Sequence, residues 1–291
     1  MIQYKGIVLA AGSALRLFPT TLAVNKRLLP IYDKPMIFYS LSTLMIADIR
    51  KILIIVRSKD KENFFELLGN GEDLGLEISY AIQKKPSGIA DAFNIGKNFI
   101  KKDNIVLVLG DNLFYGPGFS KVLSNAKKRQ TGATIFSFPV KDPKRFGVLE
   151  IGKNNKVISI VEKPNNPKSN LVATGLYFYD NKVIDIVKKL KPSKRGELEI
   201  TDVNMKYLNE KKLFVEHLGR GFSWLDTGTP ETLLAANNFV KLIQTRQGLQ
   251  IACIEEIALN KKWIVKKNIE NRLRKLTKGS YSDYLRNLIK K

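Results

Sequence analysis

IVLVLGDNLFYG, Ile105 to Gly116, is the stretch that decides the fold. Its apolar residues run on without interruption, as they do in a strand covered on both faces; a strand with one wet face alternates. Asp111 follows the run immediately. In an open α/β sheet, ligands bind at the carboxyl ends of strands, so an acid here stands at a crevice where it can hold a divalent cation. Read alone, it is equally the Asp of an ordinary strand-to-loop turn. Similar runs lie on either side: Gly6–Ala10, Lys51–Val56, Ile78–Ile82, Ala133–Phe138, Val157–Val161 and Gly175–Tyr179. Helical spacing separates them. Ile37, Leu41, Leu44 and Met45 share one face, as do Ile89, Ala92, Phe93 and Gly96. Alternating β and α units predict a mixed, mostly parallel sheet with helices on both sides, a three-layer α/β fold.

The rhythm changes after about Val140. VLEIGKNNKVISIVEKP reads as two strands around a turn at Gly152–Asn155, a β-rich insertion on the α/β core. Thr229-Pro230-Glu231 is a helix start, with a capping Thr, Pro in the first turn and an early acid. That helix is predicted to run to Gly248, and the chain reads as helical from there to its end. The expected organisation is a core over residues 1–248, carrying the insertion, and a helical C-terminal region over 249–291.

Composition narrows the chemistry. Among 291 residues, 44% are hydrophobic, so disorder is excluded over most of the length. No apolar run approaches the roughly 20 residues of a membrane span, and the apolar part of MIQYKGIVLAAGS is too short for a signal peptide. A cytoplasmic protein with no membrane partner is expected. Cys253 and His217 are the only residues of their kinds, so any metal must rest on carboxylates. The formal charge of +22 suits either a nucleic-acid binder or a lysine-rich surface. The lysines are scattered, with no zinc knuckle and no aromatic stripe, which favours the second reading.

Three further segments carry candidate chemistry. LAAGSALRLFPTT, Leu9 to Thr21, lies between the first strand and the next helical stretch. Small residues there let a phosphate approach backbone N–H groups, and Arg16 and Lys26 add charge. On its own the loop is as readily a tight turn with two solvated cations. FSWLDTGTP places Asp226 after a short apolar run and before a helix start. Two carboxylates at strand ends, with no other ligand type at hand, suit Mg²⁺. IVEKP sets Glu162 beside Lys163, either as a site pair or as a surface ion pair of little energetic weight.

Together these segments resemble the sugar nucleotidyltransferase family over nearly the whole chain, and within it the bacterial thymidylyltransferases. The likeness is carried by LLPIYDKPMIFYSLSTLM, VLGDNLFYG, VEKPNNPKSN, ATGLYFYDN, LKPSKRGELEITDVN, GRGFSWLDTGT and RQGLQIACIEEIA. The resemblance implies a Rossmann-like nucleotidyltransferase fold with a β-rich sugar-binding part and a C-terminal region used in assembly. It implies transfer of a deoxythymidylyl group from dTTP to α-D-glucose 1-phosphate, for dTDP-rhamnose and other deoxysugars. Asp111 and Asp226 would hold Mg²⁺, and Arg16 and Lys26 the triphosphate. Leu9, Ala11, Gly12, Ser13, Gln83, Pro86 and Gly88 would line the nucleotide site, Gln83 and Gly88 at the base. Lys163 and Arg195 would meet the sugar phosphate and Glu162 the sugar hydroxyls, with Gly147, Thr174 and Gly175 lining that pocket. A homotetramer is implied, with contacts through the C-terminal region and the helix after Met36, and with a dTDP-sugar as allosteric inhibitor.

The chain departs from the family pattern at several points. Ala11 and Ala14 replace glycines, Leu15 a threonine, Arg27 a glutamine and Phe146 a tyrosine, and Asn260 stands where an arginine is usual. A positive φ at position 14 would cost Ala about 1 kcal/mol. Two rival functions remain at this point: the same chemistry on another sugar 1-phosphate or with UTP, and a weakly active regulatory homologue that binds a nucleotide sugar.

Overall fold

The computed structural model describes residues 3–153 and 156–290. In chain order it contains β1 (Tyr4–Leu9), the short rungs β2 (Pro30–Ile31) and β3 (Lys34–Pro35), α1 (Ile37–Ile46), β4 (Lys51–Val56), α2 (Lys61–Leu68), β5 (Glu77–Ile82), α3 (Asp91–Ile95) and α4 (Lys97–Ile100). Next come β6 (Asn104–Leu109), β7 (Asn112–Tyr115), α5 (Phe119–Lys128), β8 (Ala133–Pro139), β9 (Gly147–Ile151), β10 (Val157–Glu162) and β11 (Leu171–Tyr179). The remainder is α6 (Val183–Lys188), α7 (Ile200–Asn209), β12 (Leu213–His217), β13 (Ser223–Asp226), α8 (Pro230–Gln247), α9 (Ile254–Asn260), α10 (Lys266–Leu273) and α11 (Ser280–Lys290).

Nine strands form one mixed sheet. Its path runs β10-β9-β11-β6-β1-β4-β5, with β8 paired to β11 and β12 to β8. β5, β4, β1 and β6 are parallel neighbours, and β11 runs antiparallel to β6, β8 and β9. Only β10 and β11 therefore oppose the common direction. The uninterrupted apolar runs are explained by both faces being covered. Val106 and Val108 face a core shared with α1, α2 and α5, while Ile105 and Leu107 face a second core with α3, α6 and α7. The expected helix over Ile89–Gly96 is present but broken at Gly96, where α3 gives way to α4. A Cβ there would stand 3.0 Å from the Ala92 carbonyl oxygen and from Ile7 Cδ1.

The insertion is the β9–β10 antiparallel pair, in register from Gly147↔Glu162 to Glu150↔Ser159 and shifted by a bulge before Ile151↔Val157. Of the expected turn, Asn154 and Asn155 lie outside the described residues. α8 starts and stops as its sequence indicates. The Thr229 hydroxyl accepts from the Thr232 amide, and Gly248 closes the helix at φ 66°. Helices α9 to α11 do not stand apart. Ile254, Ala258, Ile269 and Leu285 join the core cluster that holds Ile37, Leu41 and Leu44 of α1. Ile37 through Met45 are all buried within the one chain. Ile46 alone in α1, the helix after Met36, is left partly open. Among the described residues no helix is long and apolar enough to cross a membrane.

Candidate active site

β6 delivers Asp111 to the carboxyl end of the sheet, and the small β7–β13 ladder brings Asp226 beside it. Asp226 pairs with Asn112 in register. The Thr227 hydroxyl, fully buried, donates to the Asp111 carbonyl oxygen at 3.0 Å and locks the two strand ends together. Asn112 is the joint of this arrangement. Its Nδ2 donates to Asp111 Oδ1 at 3.0 Å, and its Oδ1 accepts from the Gly175 amide at 3.1 Å and the Trp224 indole at 2.6 Å. Gly175 has to be glycine, because a Cβ there would lie 2.5 Å from Asn112 Oδ1.

Each carboxylate is held by a cation. Lys26 Nζ lies 2.7 Å from Asp111 Oδ2, and Arg145 Nη2 lies 2.9 Å from Asp226 Oδ2. Burial alone would push the Asp111 carboxyl up. The Lys26 ammonium and the Arg27 guanidinium outweigh it and hold that acid well below the usual carboxylate range. Asp226 goes the other way, raised by burial and then by the neighbouring Asp111 charge. Burial lowers Lys26, opposed by Asp111. The Arg16 guanidinium completes the ring: a Cβ on Gly228 would meet its Nη2 at 2.8 Å and Asp226 Oδ2 at 3.0 Å.

Two adjoining pockets share Asp111, Arg16 and Glu197. The first lies under the loop after β1 and is lined by Leu9, Gly12, Ser13, Lys26, Gln83, Pro86 and Gly88. Ala14, in the same loop, has φ 52° and ψ 40°, so the left-handed condition at this position is met by a non-glycine. Gly88, at φ 96°, comes so close to the Leu198 backbone that a Cβ would lie 2.4 Å from its oxygen. The second pocket is lined by Gly147, Glu162, Lys163, Thr174, Gly175 and Arg195, with Trp224 and Asp226 in its wall. Lys163 turns at φ 44°, so it and Glu162 reach the same cavity although they are neighbours at a strand end. Glu162 accepts from the Thr201 hydroxyl, and Arg195 makes a two-oxygen pair with the buried Glu199. The Thr174 hydroxyl is buried without a partner beside this pocket, a polar atom left over for a hydroxylated ligand.

Two carboxylates set among guanidinium and ammonium groups suit a polyanion that arrives with a hard cation. Among the described residues no cluster of three or more His, Cys, Asp and Glu occurs. A divalent ion at Asp111 and Asp226 would therefore complete its shell with phosphate oxygens and water, as Mg²⁺ does. The donor set fits that ion.

Residues 5–242 match the nucleotidyl transferase family. The chain belongs to that family. A glucose-1-phosphate thymidylyltransferase of Neisseria meningitidis is 53% identical over 287 residues, covering 99% of this chain and 100% of its own. Another, of Mycobacterium tuberculosis, is 49% identical and covers 99% of both chains. Among solved structures, a Bacillus anthracis protein described as a glucose-1-phosphate thymidylyltransferase in complex with a sucrose has a TM-score of 0.76 at 40% identity, covering 81% of this chain and 94% of that one. A UDP-glucose pyrophosphorylase complexed with UDP-glucose shares the fold, with a TM-score of 0.73 at 24% identity over 84% of this chain and 100% of that one.

For this nucleotidyl transferase, the sequence-predicted site residues converge on the two pockets with one exception. Ala11 lies in the core beneath the loop, packed with Leu9 and Ile55. The structure adds residues that sequence reading did not single out. Asn112 and Trp224 stood inside quoted motifs, next to Asp111 and two residues before Asp226. Arg145 carried no signal, since its partner is 81 residues away.

Proposed function

We propose that this protein transfers a deoxythymidylyl group from dTTP to α-D-glucose 1-phosphate, giving dTDP-glucose and pyrophosphate. One observation carries the reading: the Asp111–Asp226 pair stands where a phosphate-loop pocket and a hydroxyl-binding pocket meet. Full-length relatives bearing the glucose-1-phosphate thymidylyltransferase name support the choice of substrates. The nucleophile is an oxygen of the sugar phosphate, already ionised, so the chain needs no strong base. That oxygen forms a bond to the α-phosphorus of dTTP as the bond to the bridging oxygen breaks, and pyrophosphate leaves with the electron pair. The barrier lies in bringing two anions together and in the charge developing on the leaving group.

In this reading Ser13 and the neighbouring loop backbone cradle the triphosphate, Arg16 and Lys26 neutralise it, and Gln83 and Gly88 border the base. Lys163 and Arg195 hold the incoming phosphate in line, and Glu162 fixes the sugar hydroxyls. Mg²⁺ at Asp111 and Asp226 would supply further charge stabilisation at the phosphates. Lys26 and Arg145 already pair with those carboxylates, so each is placed to pass its charge to a phosphate oxygen. A place in the cytoplasm follows from a nucleoside triphosphate substrate. Residues 249–291 are read as the element for assembly into a homotetramer and for inhibition by a dTDP-sugar. The deciding experiment measures pyrophosphate release with dTTP, UTP, ATP and GTP, each against several sugar 1-phosphates. The reading expects dTTP with glucose 1-phosphate to give the highest kcat/KM; a faster pair, or none active, refutes it.

A further inference from the structure

Beside the loop after β1 stands an arginine that lines the nucleotide pocket and has so far entered only through its charge beside Asp111. Arg27 sits on the single 3₁₀ turn Lys26–Leu28 and is only 7% exposed. Its Nη1 donates to the Gly12 carbonyl oxygen at 2.8 Å, and its Nη2 lies 3.5 Å from Asp111 Oδ2. Its Nε is buried with no partner. Two glycines make room for it. A Cβ on Gly12 would stand 3.0 Å from Nη2, and one on Gly110 would stand 3.0 Å from Cγ. Gly12 has no left-handed φ, so a side chain there would press on the Arg27 guanidinium and would not strain the backbone. The turn that carries Arg27 is itself anchored. Asn25 Oδ1 accepts from the Arg27 amide at 3.0 Å, while Asn25 Nδ2 donates to the Ala10 carbonyl oxygen and to Asp60.

Peptide planarity gives this contact its consequence. The Gly12 carbonyl and the Ser13 N–H belong to one trans peptide and point in opposite directions. With the carbonyl turned onto the Arg27 guanidinium, the Ser13 N–H is turned away from that guanidinium, and Gly12, Ser13 and Arg27 all line the nucleotide pocket. We propose that Arg27 is a positioning residue that fixes the Gly12–Ser13 peptide in the orientation presenting its N–H to the nucleotide's phosphates, and that ties this loop to Asp111. The guanidinium suits the task because its planar fork reaches two acceptors at once, which a lysine ammonium on one stem does not. The proposal rests on the reading that this loop receives the triphosphate.

The test is a double-mutant cycle on the full-length protein with Arg27→Ala, Gly12→Ala and the pair. Two readouts are taken: the dissociation constant of dTTP by calorimetry, and the rate of tryptic cleavage after Arg16, which lies exposed in the same loop. Each single variant should weaken dTTP about 10-fold and speed cleavage after Arg16 by a similar factor, with KM for glucose 1-phosphate changed less than 2-fold. The pair should be no worse than the worse single, because the added methyl then enters the space the guanidinium left. Arg27→Lys should fall between wild type and Arg27→Ala. If Arg27→Ala does not fold, Arg27→Gln carries the same comparison. Multiplying effects in the pair, equal weakening of both substrates, or unchanged cleavage after Arg16 would each overturn the proposal. Cleavage needs no substrate, so a protein that proves inactive with every nucleotide refutes the proposed function while the cycle still decides the clamp.

Discussion

Replacing Asn112 tests whether one buried amide holds the two pockets together. In Asn112→Ala, the Gly175 N–H and the Trp224 indole N–H both lose their acceptor, and the side chain is only 3% exposed, so water does not readily replace it. An unsatisfied buried donor costs about 1–3 kcal/mol, so two of them with a small cavity amount to about 3–5 kcal/mol. Against a typical total of about 5–15 kcal/mol the protein still folds. At this chain length about 1 kcal/mol moves Tm by roughly 2 °C, so calorimetry should show a fall of about 6–10 °C. Asn112→Asp is the informative partner. It keeps an acceptor for both donors, but replaces the amide that donates to Asp111 Oδ1 with a second carboxylate. Its Tm should fall by less than half as much, while kcat in the pyrophosphate assay falls at least 100-fold. An Asn112→Ala protein melting within about 1 °C of wild type would refute the reasoning, as would an Asn112→Asp protein of normal kcat.

Asp226→Asn should cost several kcal/mol of transition-state stabilisation, measured as kcat/KM, and leave the far-ultraviolet circular dichroism unchanged. Ala14→Gly should move Tm by less than about 2 °C, since relief of about 1 kcal/mol of left-handed strain is offset by a freer unfolded chain; a fall of several degrees would mean that the methyl makes contacts this account lacks. With its lysines scattered, the protein should bind duplex DNA weakly, without sequence preference, and release it in moderate salt by fluorescence anisotropy.

Features set by one local rule were legible in the sequence, and features set by two distant segments were not. The run Ile105–Leu109 announced a strand buried on both faces because periodicity reports burial directly, and Asp111 was placed by the chain leaving that strand. The helix beginning at Thr229 and ending at Gly248 was legible from its caps. The strand expected over Gly175–Tyr179 begins four residues earlier, at Leu171, because its first part pairs with β8 and β9 across a register shift that no local pattern encodes. The family resemblance supplied Glu162, Lys163 and Arg195 as partners in one pocket, where spacing alone left Glu162 and Lys163 open between a site pair and a surface ion pair and gave no reading of Arg195. It also placed Ala11 at the nucleotide, whereas the side chain packs inward with Leu9. Arg27 stood in the sequence only as a departure from the family's glutamine. Its packing against Gly12 and Asp111 appears only when residues 15 and 84 positions away are brought beside it.

The burial of α1 beneath the last helices also sets a timetable for synthesis. α1 is complete at Ile46, and its cover α9 begins at Ile254. At about 5–20 residues per second, roughly ten to forty seconds separate the two on the ribosome. Through that interval the side of α1 that α9 will occupy has no permanent neighbour. A nascent chain stalled before Ile254 should therefore be captured there by chaperones and cut there by proteases, while a chain that has folded α9 onto α1 is not. In this protein the arrival of α9, and not the completion of the sheet, is the moment at which the first helix becomes safe.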